Sequence, residues 1–240
     1  MDFSSMHVEL GPNDPSINGY SKLREISEDM TWDMGRLDEG LIDVNPFYPD
    51  ESPLTPDEIR ALLDANEANM AAISEALRME QFRFDQEISP DTLIPEVGQF
   101  RSYVDMRVLE VRLQAMEGDP NTGLATLIQL SRDIEKFGGQ HGGLVVVLTT
   151  ASAAFTCNRE IVHLISQYRP SQETLRLALK NYKLRHAITD QLPTSIRAEF
   201  QFCVYCTDKI LKDPEMLGEK WAGKRLVSSP LFKPNRTKNT

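Results

Sequence analysis

Leu144-Val145-Val146-Val147-Leu148-Thr149-Thr150-Ala151-Ser152-Ala153-Ala154-Phe155-Thr156-Cys157 is the longest apolar run of the chain, and its reading as strand or helix decides the fold class. The first seven residues have strand composition, because β-branched Val and Thr dominate them. They nevertheless continue without a turn residue into Ala151-Ser152-Ala153-Ala154 and on to Ile161, Leu164 and Ile165 at helical spacing. A half-buried strand would alternate apolar and polar residues, and no alternation occurs. One buried helix over residues 144–168 is therefore expected. The apolar run is also shorter than the roughly 20 residues that cross a bilayer.

Helix signals follow on both sides. Toward the C-terminus, Arg169-Pro170-Ser171 ends that helix and caps another over 172–189, carrying Leu175, Leu179, Tyr182 and Ile188. Pro193-Thr194 opens a further helix over 195–211, and the tail after Asp213-Pro214 has room for a short helix near 215–224. Toward the N-terminus, Asp119-Pro120 supplies a cap and a first-turn proline for a helix through Leu124, Leu127, Ile128, Leu130 and Ile134 to Phe137. The helix before it runs over 97–116 and stops at Gly118. Thr55-Pro56-Asp57-Glu58 has the pattern of a capping box with proline at the first helical position, opening an amphipathic helix through Ile59, Leu62, Ile73 and Phe84 to about residue 86. Residues 1–54 carry five prolines and little sustained periodicity. They read as an irregular arm with one or two helical turns within 20–34.

Six helices joined by short Pro/Gly turns, with no credible second strand, specify an all-α fold of antiparallel helix pairs. The segment from Leu109 to Phe137, with Ala115, Gly118 and Ala125 where close helix packing wants small residues, is loosely tetratricopeptide-like. No strict 34-residue period appears, so a short solenoid or an irregular bundle is expected. The chain divides into the arm, 1–54, and a helical body, 55–240, whose tail starts at about 213.

Composition excludes several classes. The chain has 240 residues, 40% of them hydrophobic, enough for a core without staples, and three Cys cannot make a disulfide framework. The net charge of −10 argues against a general nucleic-acid binder. It hides a strong polarity: through Glu96 there are 22 acidic and 6 basic residues, net −16, and from Val97 onward 14 acidic and 20 basic, net +6. An acidic segment folding onto a mildly basic helical body accounts for this, and an acidic docking segment for a basic partner is the alternative. Met1-Asp2-Phe3-Ser4-Ser5 lacks a basic n-region and an apolar h-region, so no secretory leader is read at this start.

Few residues offer recognisable chemistry. Cys203 and Cys206, three apart, are the spacing for zinc or a redox pair, but no second ligand pair accompanies them and they fall inside a predicted helix, so they read first as core residues. Glu160 and His163 make one Glu-x-x-His, whereas a di-metal helical bundle needs two copies. The Gly138-Gly139-Gln140-His141-Gly142-Gly143 turn lacks the Lys-Ser/Thr and preceding strand of a phosphate loop. Glu199, beside Ala198 and Phe200, needs a partner on an apolar helix face. Asn235, Arg236 and Thr237 are the proposed counterpart, in a clamp that would pin the tail to the body. The same three residues match a glycosylation sequon, read here as coincidental. No cofactor is indicated.

Three stretches carry a resemblance: the helix-Gly118-Asp119-helix unit ending in Ile128-Gln129-Leu130-Ser131-Arg132, Leu192-Pro193 leading into Glu199-Phe200, and Leu231-Phe232-Lys233-Pro234-Asn235-Arg236-Thr237. Across 106–237 the chain resembles a set of bacterial helical, tetratricopeptide-like proteins of unassigned activity that are usually exported or membrane-anchored. The resemblance implies an extracytoplasmic, all-helical protein; membrane association would come only through a segment absent from this chain. The functional expectation is a helical scaffold or protein-interaction module with a protein partner. An enzyme with a polar site around Glu199 is the alternative.

Overall fold

The computed structural model describes residues 10–34, 54–85, 94–139 and 143–182. Within them the chain forms seven helices: α1 (Gly19–Asp29), α2 (Pro56–Ala65), α3 (Glu67–Arg78), α4 (Pro95–Met116), α5 (Pro120–Gly138), α6 (Gly143–Tyr168) and α7 (Gln172–Asn181). No strand occurs among the described residues, only an isolated bridge between Asn18 and Gln81. The fold is all-α, as the sequence indicates.

Local chemistry sets the helix ends. Thr55 Oγ1 accepts from the Glu58 N–H while Glu58 Oε2 accepts from the Thr55 N–H, the reciprocal capping box. Asp119 accepts from the Thr122 N–H at 3.1 Å and Ser171 from the Thr174 N–H at 3.2 Å. Between α4 and α5, Gly118 takes φ +91°, which a side chain would resist. Its N–H donates to Ala115 O and the Asp119 N–H to Gln114 O, so two end carbonyls of α4 are satisfied within a turn that reverses the chain.

That reversal lays α5 antiparallel to α4, with the Phe100 and Phe137 rings stacked at 3.9 Å between centroids and Tyr103 opposite Asp133. α6 runs back along α5, with Cys157 against Leu127 and Thr150 against Gly138. α4 and α5 form the centre, with α1, α2 and α3 packed against α4, and α6 and α7 against α5. The principal core runs from Tyr20 and Leu23 of α1 through Phe100, Val104 and Val108 of α4 to Cys157 and Leu164 of α6. A smaller cluster joins Ile59 and Leu62 of α2 to Met106, Leu109 and Leu113 of α4.

Two departures from the expected elements have tertiary causes. The helix expected from Thr55 to about residue 86 breaks at Asn66 and ends at Arg78. Asn66 is buried and grips the backbone of Asp33, accepting from its N–H at 2.9 Å and donating to its carbonyl at 2.7 Å. Such side-chain bonding competes with helix continuation. After α3, Phe82 and Phe84 bury their rings against Tyr20 by period-two alternation. This extended stretch lies along residues 11–19, with Gly11 N–H donating to Phe84 O and Gly19 N–H to Gln81 O.

The N-terminal helix is also longer than the one or two turns expected. α1 makes about three turns and buries Tyr20, Leu23 and Ser27 against the body. Asn18 fixes its start: the Nδ2 group donates to Pro12 O and Arg83 O, and Oδ1 accepts from the N–H groups of Tyr20 and Arg83. All four hydrogen-bonding positions of that amide are used. A side chain at Gly19 would run into the Ala76 carbonyl oxygen of α3, so glycine permits the close approach of α1.

Candidate functional site

α6 is the helix expected from the apolar run, but it is buried on one face only. Val146, Thr150, Ala153, Cys157, Glu160 and Leu164 face inward. Outward, Val145 is 50% exposed, Leu148 58%, Phe155 65% and Val162 57%, with Ser152 also exposed between Leu148 and Phe155. Large apolar side chains exposed singly are ordinary, whereas here four lie along one line of one helix. The Arg159 guanidinium lies over the Phe155 ring at 5.6 Å, so a cation stands within the apolar line.

The electrostatics of this end of the molecule are set from beneath. Glu160, the only acidic residue of α6, is turned into the core and held by two contacts from Arg112 of α4, 3.2 Å from Nε and 3.1 Å from Nη2. Arg169, Arg176 and Lys180 are exposed on the turn and helix that follow, against a single exposed acid, Glu173. By contrast, Glu25, Glu28, Asp29, Asp57, Asp64 and Glu67 are exposed on α1 to α3. The acidic excess of the first half of the sequence is thus carried in part on the outside of α1 to α3, whereas residues 97–182 hold 9 basic and 8 acidic residues and are close to neutral.

Beneath the surface lie buried carboxyls, each with its own environment. Glu96, in the first turn of α4, is fully buried and accepts from the Tyr20 hydroxyl; burial, the dominant cause, holds its pKa above the usual carboxylate range, and the Tyr20 hydrogen bond opposes this. Asp133 accepts from Tyr103 Oη at 2.7 Å and Gln129 Nε2 at 2.9 Å, and burial raises it as well. Burial pushes Asp105 up to about 6, against the opposing pull of Arg101. Asp85 accepts from Arg24 at 2.7 Å and from Ser21. Glu96 thereby ties α4 to α1, Asp133 ties α5 to α4, and Asp85 ties the 81–85 stretch to α1.

The residues expected to carry chemistry are distributed differently. Glu160 and His163 do not converge: Glu160 points inward to Arg112, while His163 meets the edge of Tyr168 with ring centroids 6.1 Å apart. No group of three metal-binding side chains occurs among the described residues. Cys157 is buried, its thiol donating to Leu127 O at 3.5 Å, and burial pushes its pKa up to about 12. It is a core residue with no thiolate character at neutral pH. Glu199, Asn235, Arg236, Thr237, Cys203 and Cys206 lie outside the described residues, as do His7, His141 and His186.

The exposed line on α6 escaped the sequence reading because the helix is apolar on several faces and reads as buried throughout. The signal was present in the 3-4-3-4-3 spacing of Val145, Leu148, Ser152, Phe155, Arg159 and Val162. No family model matches this chain, and neither a curated protein nor a solved structure matches it.

Proposed function

We propose that this chain is a helical protein-interaction module whose working surface is the outward face of α6. The observation that carries the reading is the line of Val145, Leu148, Phe155 and Val162, each half or more exposed on a helix whose other face is core. Burying one such side chain on a partner is worth roughly 1.5–3 kcal/mol, so leaving four in water is a standing cost that docking removes. α4 and α5 hold the helix rigidly, which lowers the ordering entropy spent on binding. The resemblance across 106–237 adds that such a module would work outside the cytoplasm.

A photo-crosslinking residue at Ser152 of the full-length chain, tested in envelope and soluble fractions, addresses the reading. A discrete adduct with another polypeptide is expected, lost when Leu148→Glu and Phe155→Glu are combined. The same crosslinker at Glu25 of α1 should give no such adduct. Absence of any adduct at Ser152 overturns the proposal.

A further inference from the structure

We propose that Glu96 is a proton-operated latch for an N-terminal strap: with its carboxyl protonated, residues 11–29 and 81–85 stay closed on α4, and loss of that proton opens the strap while α4, α5 and α6 remain folded. Glu96 is fully buried in the first turn of α4, and the group that donates to its Oε1, the Tyr20 hydroxyl, belongs to α1. Its second oxygen, Oε2, has no hydrogen-bond partner among the described residues. One turn further along α4, Gln99 Nε2 donates to the carbonyls of Ser27 at 3.2 Å and Met30 at 2.9 Å, and Gln99 Oε1 accepts from Trp32 Nε1. The start of α4 is thus the seat of α1 and of the residues that follow it, and Glu96 is a group in that seat whose charge can change.

The surroundings do not balance an ionised Glu96. Arg24 of α1 acts on it, but that guanidinium is bound to Asp85 Oδ1 and to Asn13 Oδ1, each at 2.7 Å. Asp85 is itself buried, accepts from Ser21 as well, and opposes a second negative charge on Glu96. Charged groups on the other helices packed against α4 have partners elsewhere: Arg60 of α2 with Glu117, Glu75 of α3 with Lys22, Lys136 of α5 with the Met79 carbonyl, and Glu160 of α6 with Arg112. An ionised carboxylate gains a stronger bond from Tyr20 but loses more by desolvation, so burial raises the pKa in the closed form and the Tyr20 bond only opposes this. The closed strap therefore binds the proton more tightly than the open one, and closure weakens as pH rises. Asn18 ties 11–19 to 81–85 directly, so the two parts of the strap are held to one another independently of α4. The Phe100–Phe137 stack and the Tyr103–Asp133 bond join α4 to α5 without it. Opening withdraws Tyr20, Leu23, Phe82 and Phe84 from the principal core and uncovers the apolar surface beneath them.

Amide hydrogen exchange of the full-length chain, read by mass spectrometry from about pH 5 to about pH 8 and corrected for intrinsic exchange rates, tests the latch. Every chain carries Asp105→Asn, because Asp105 titrates within the same range. Segments 19–29 and 81–85 are expected to be less protected than 120–138 of α5 at every pH, since the strap opens without the core. Their protection at about pH 8 should be at least about tenfold lower than at about pH 5. Glu96→Gln keeps an acceptor for Tyr20 and is neutral throughout, so the protection of 19–29 should no longer change with pH. Glu96→Met is a second neutral variant that adds no buried donor, and it should behave in the same way. Equal protection of 19–29 and 120–138 overturns the inference, because α1 then opens only with the whole fold. So does protection of 19–29 that is independent of pH when Glu96 is present, or a loss with rising pH that persists in the neutral variants.

Discussion

Tyr20→Phe removes one hydroxyl from a fully buried ring and strips Glu96 of the donor to its Oε1, while the other carboxylate oxygen, Oε2, already has no hydrogen-bond partner. A hydrogen bond to an ionised group contributes about 1.5–3 kcal/mol, and one to a neutral group about 0.5–1.5. The loss therefore depends on the protonation of Glu96. Burial holds the folded-state pKa of Glu96 above its ordinary value of 4.5. The stability linked to this group is then fully present below 4.5 and is lost as pH rises through the folded value. The Tyr20 hydrogen bond works against the upward shift, so its removal raises the folded pKa further and steepens the loss. Urea denaturation of wild type and Tyr20→Phe from about pH 4 to about pH 8 should show a penalty growing with pH. It should reach about 1.5–3 kcal/mol at the upper end. A penalty independent of pH, or one below about 0.5 kcal/mol throughout, would refute the assignment of Glu96 as a buried carboxylate dependent on Tyr20.

Two further changes probe the centre of the fold. Arg112→Met leaves Glu160 buried without its bidentate partner and should cost about 3–5 kcal/mol by thermal or urea unfolding, while adding Glu160→Leu should recover most of the loss. Asp105→Asn removes a carboxyl whose folded pKa of about 6 exceeds its unfolded value of 3.8. Wild-type stability from this group is present below 3.8 and is lost as pH rises through about 6. The variant should thus be more stable than wild type by about 3 kcal/mol at pH 8, with the advantage gone near pH 4, as paired denaturation curves would show.

The legible parts of this fold are those decided by neighbours in sequence. Thr55 with Glu58, Asp119 with Thr122 and Ser171 with Thr174 are three apart, and their capping bonds are present in the structure. The helical state of α6 was legible from its length and lack of alternation. The break at Asn66 was not, because its cause is the Asp33 backbone, 33 residues away. Likewise Phe82 and Phe84 alternate over too few residues to outweigh the preceding helix signal, and their partners are on α1. The Tyr20–Glu96 and Tyr103–Asp133 pairs join residues 76 and 30 apart, and nothing local marks any of the four. The outward line of α6 was present in the spacing, but its exposure depends on which faces α4 and α5 leave uncovered.

The amide of Asn18 has a consequence for how the molecule opens. Its single oxygen holds the N–H of Tyr20 and the N–H of Arg83, and its nitrogen the carbonyls of Pro12 and Arg83. Separation of the 81–85 stretch from residues 11–19 breaks both contacts to Arg83 at once. The two stretches therefore form one cooperative unit, although 65 residues separate Asn18 from Arg83. The α4–α5 and α5–α6 hairpins close over short turns and need no such distant loop closure. The hairpins can therefore assemble from local encounters, whereas the N-terminal strap forms only when the long loop between Asn18 and Arg83 closes.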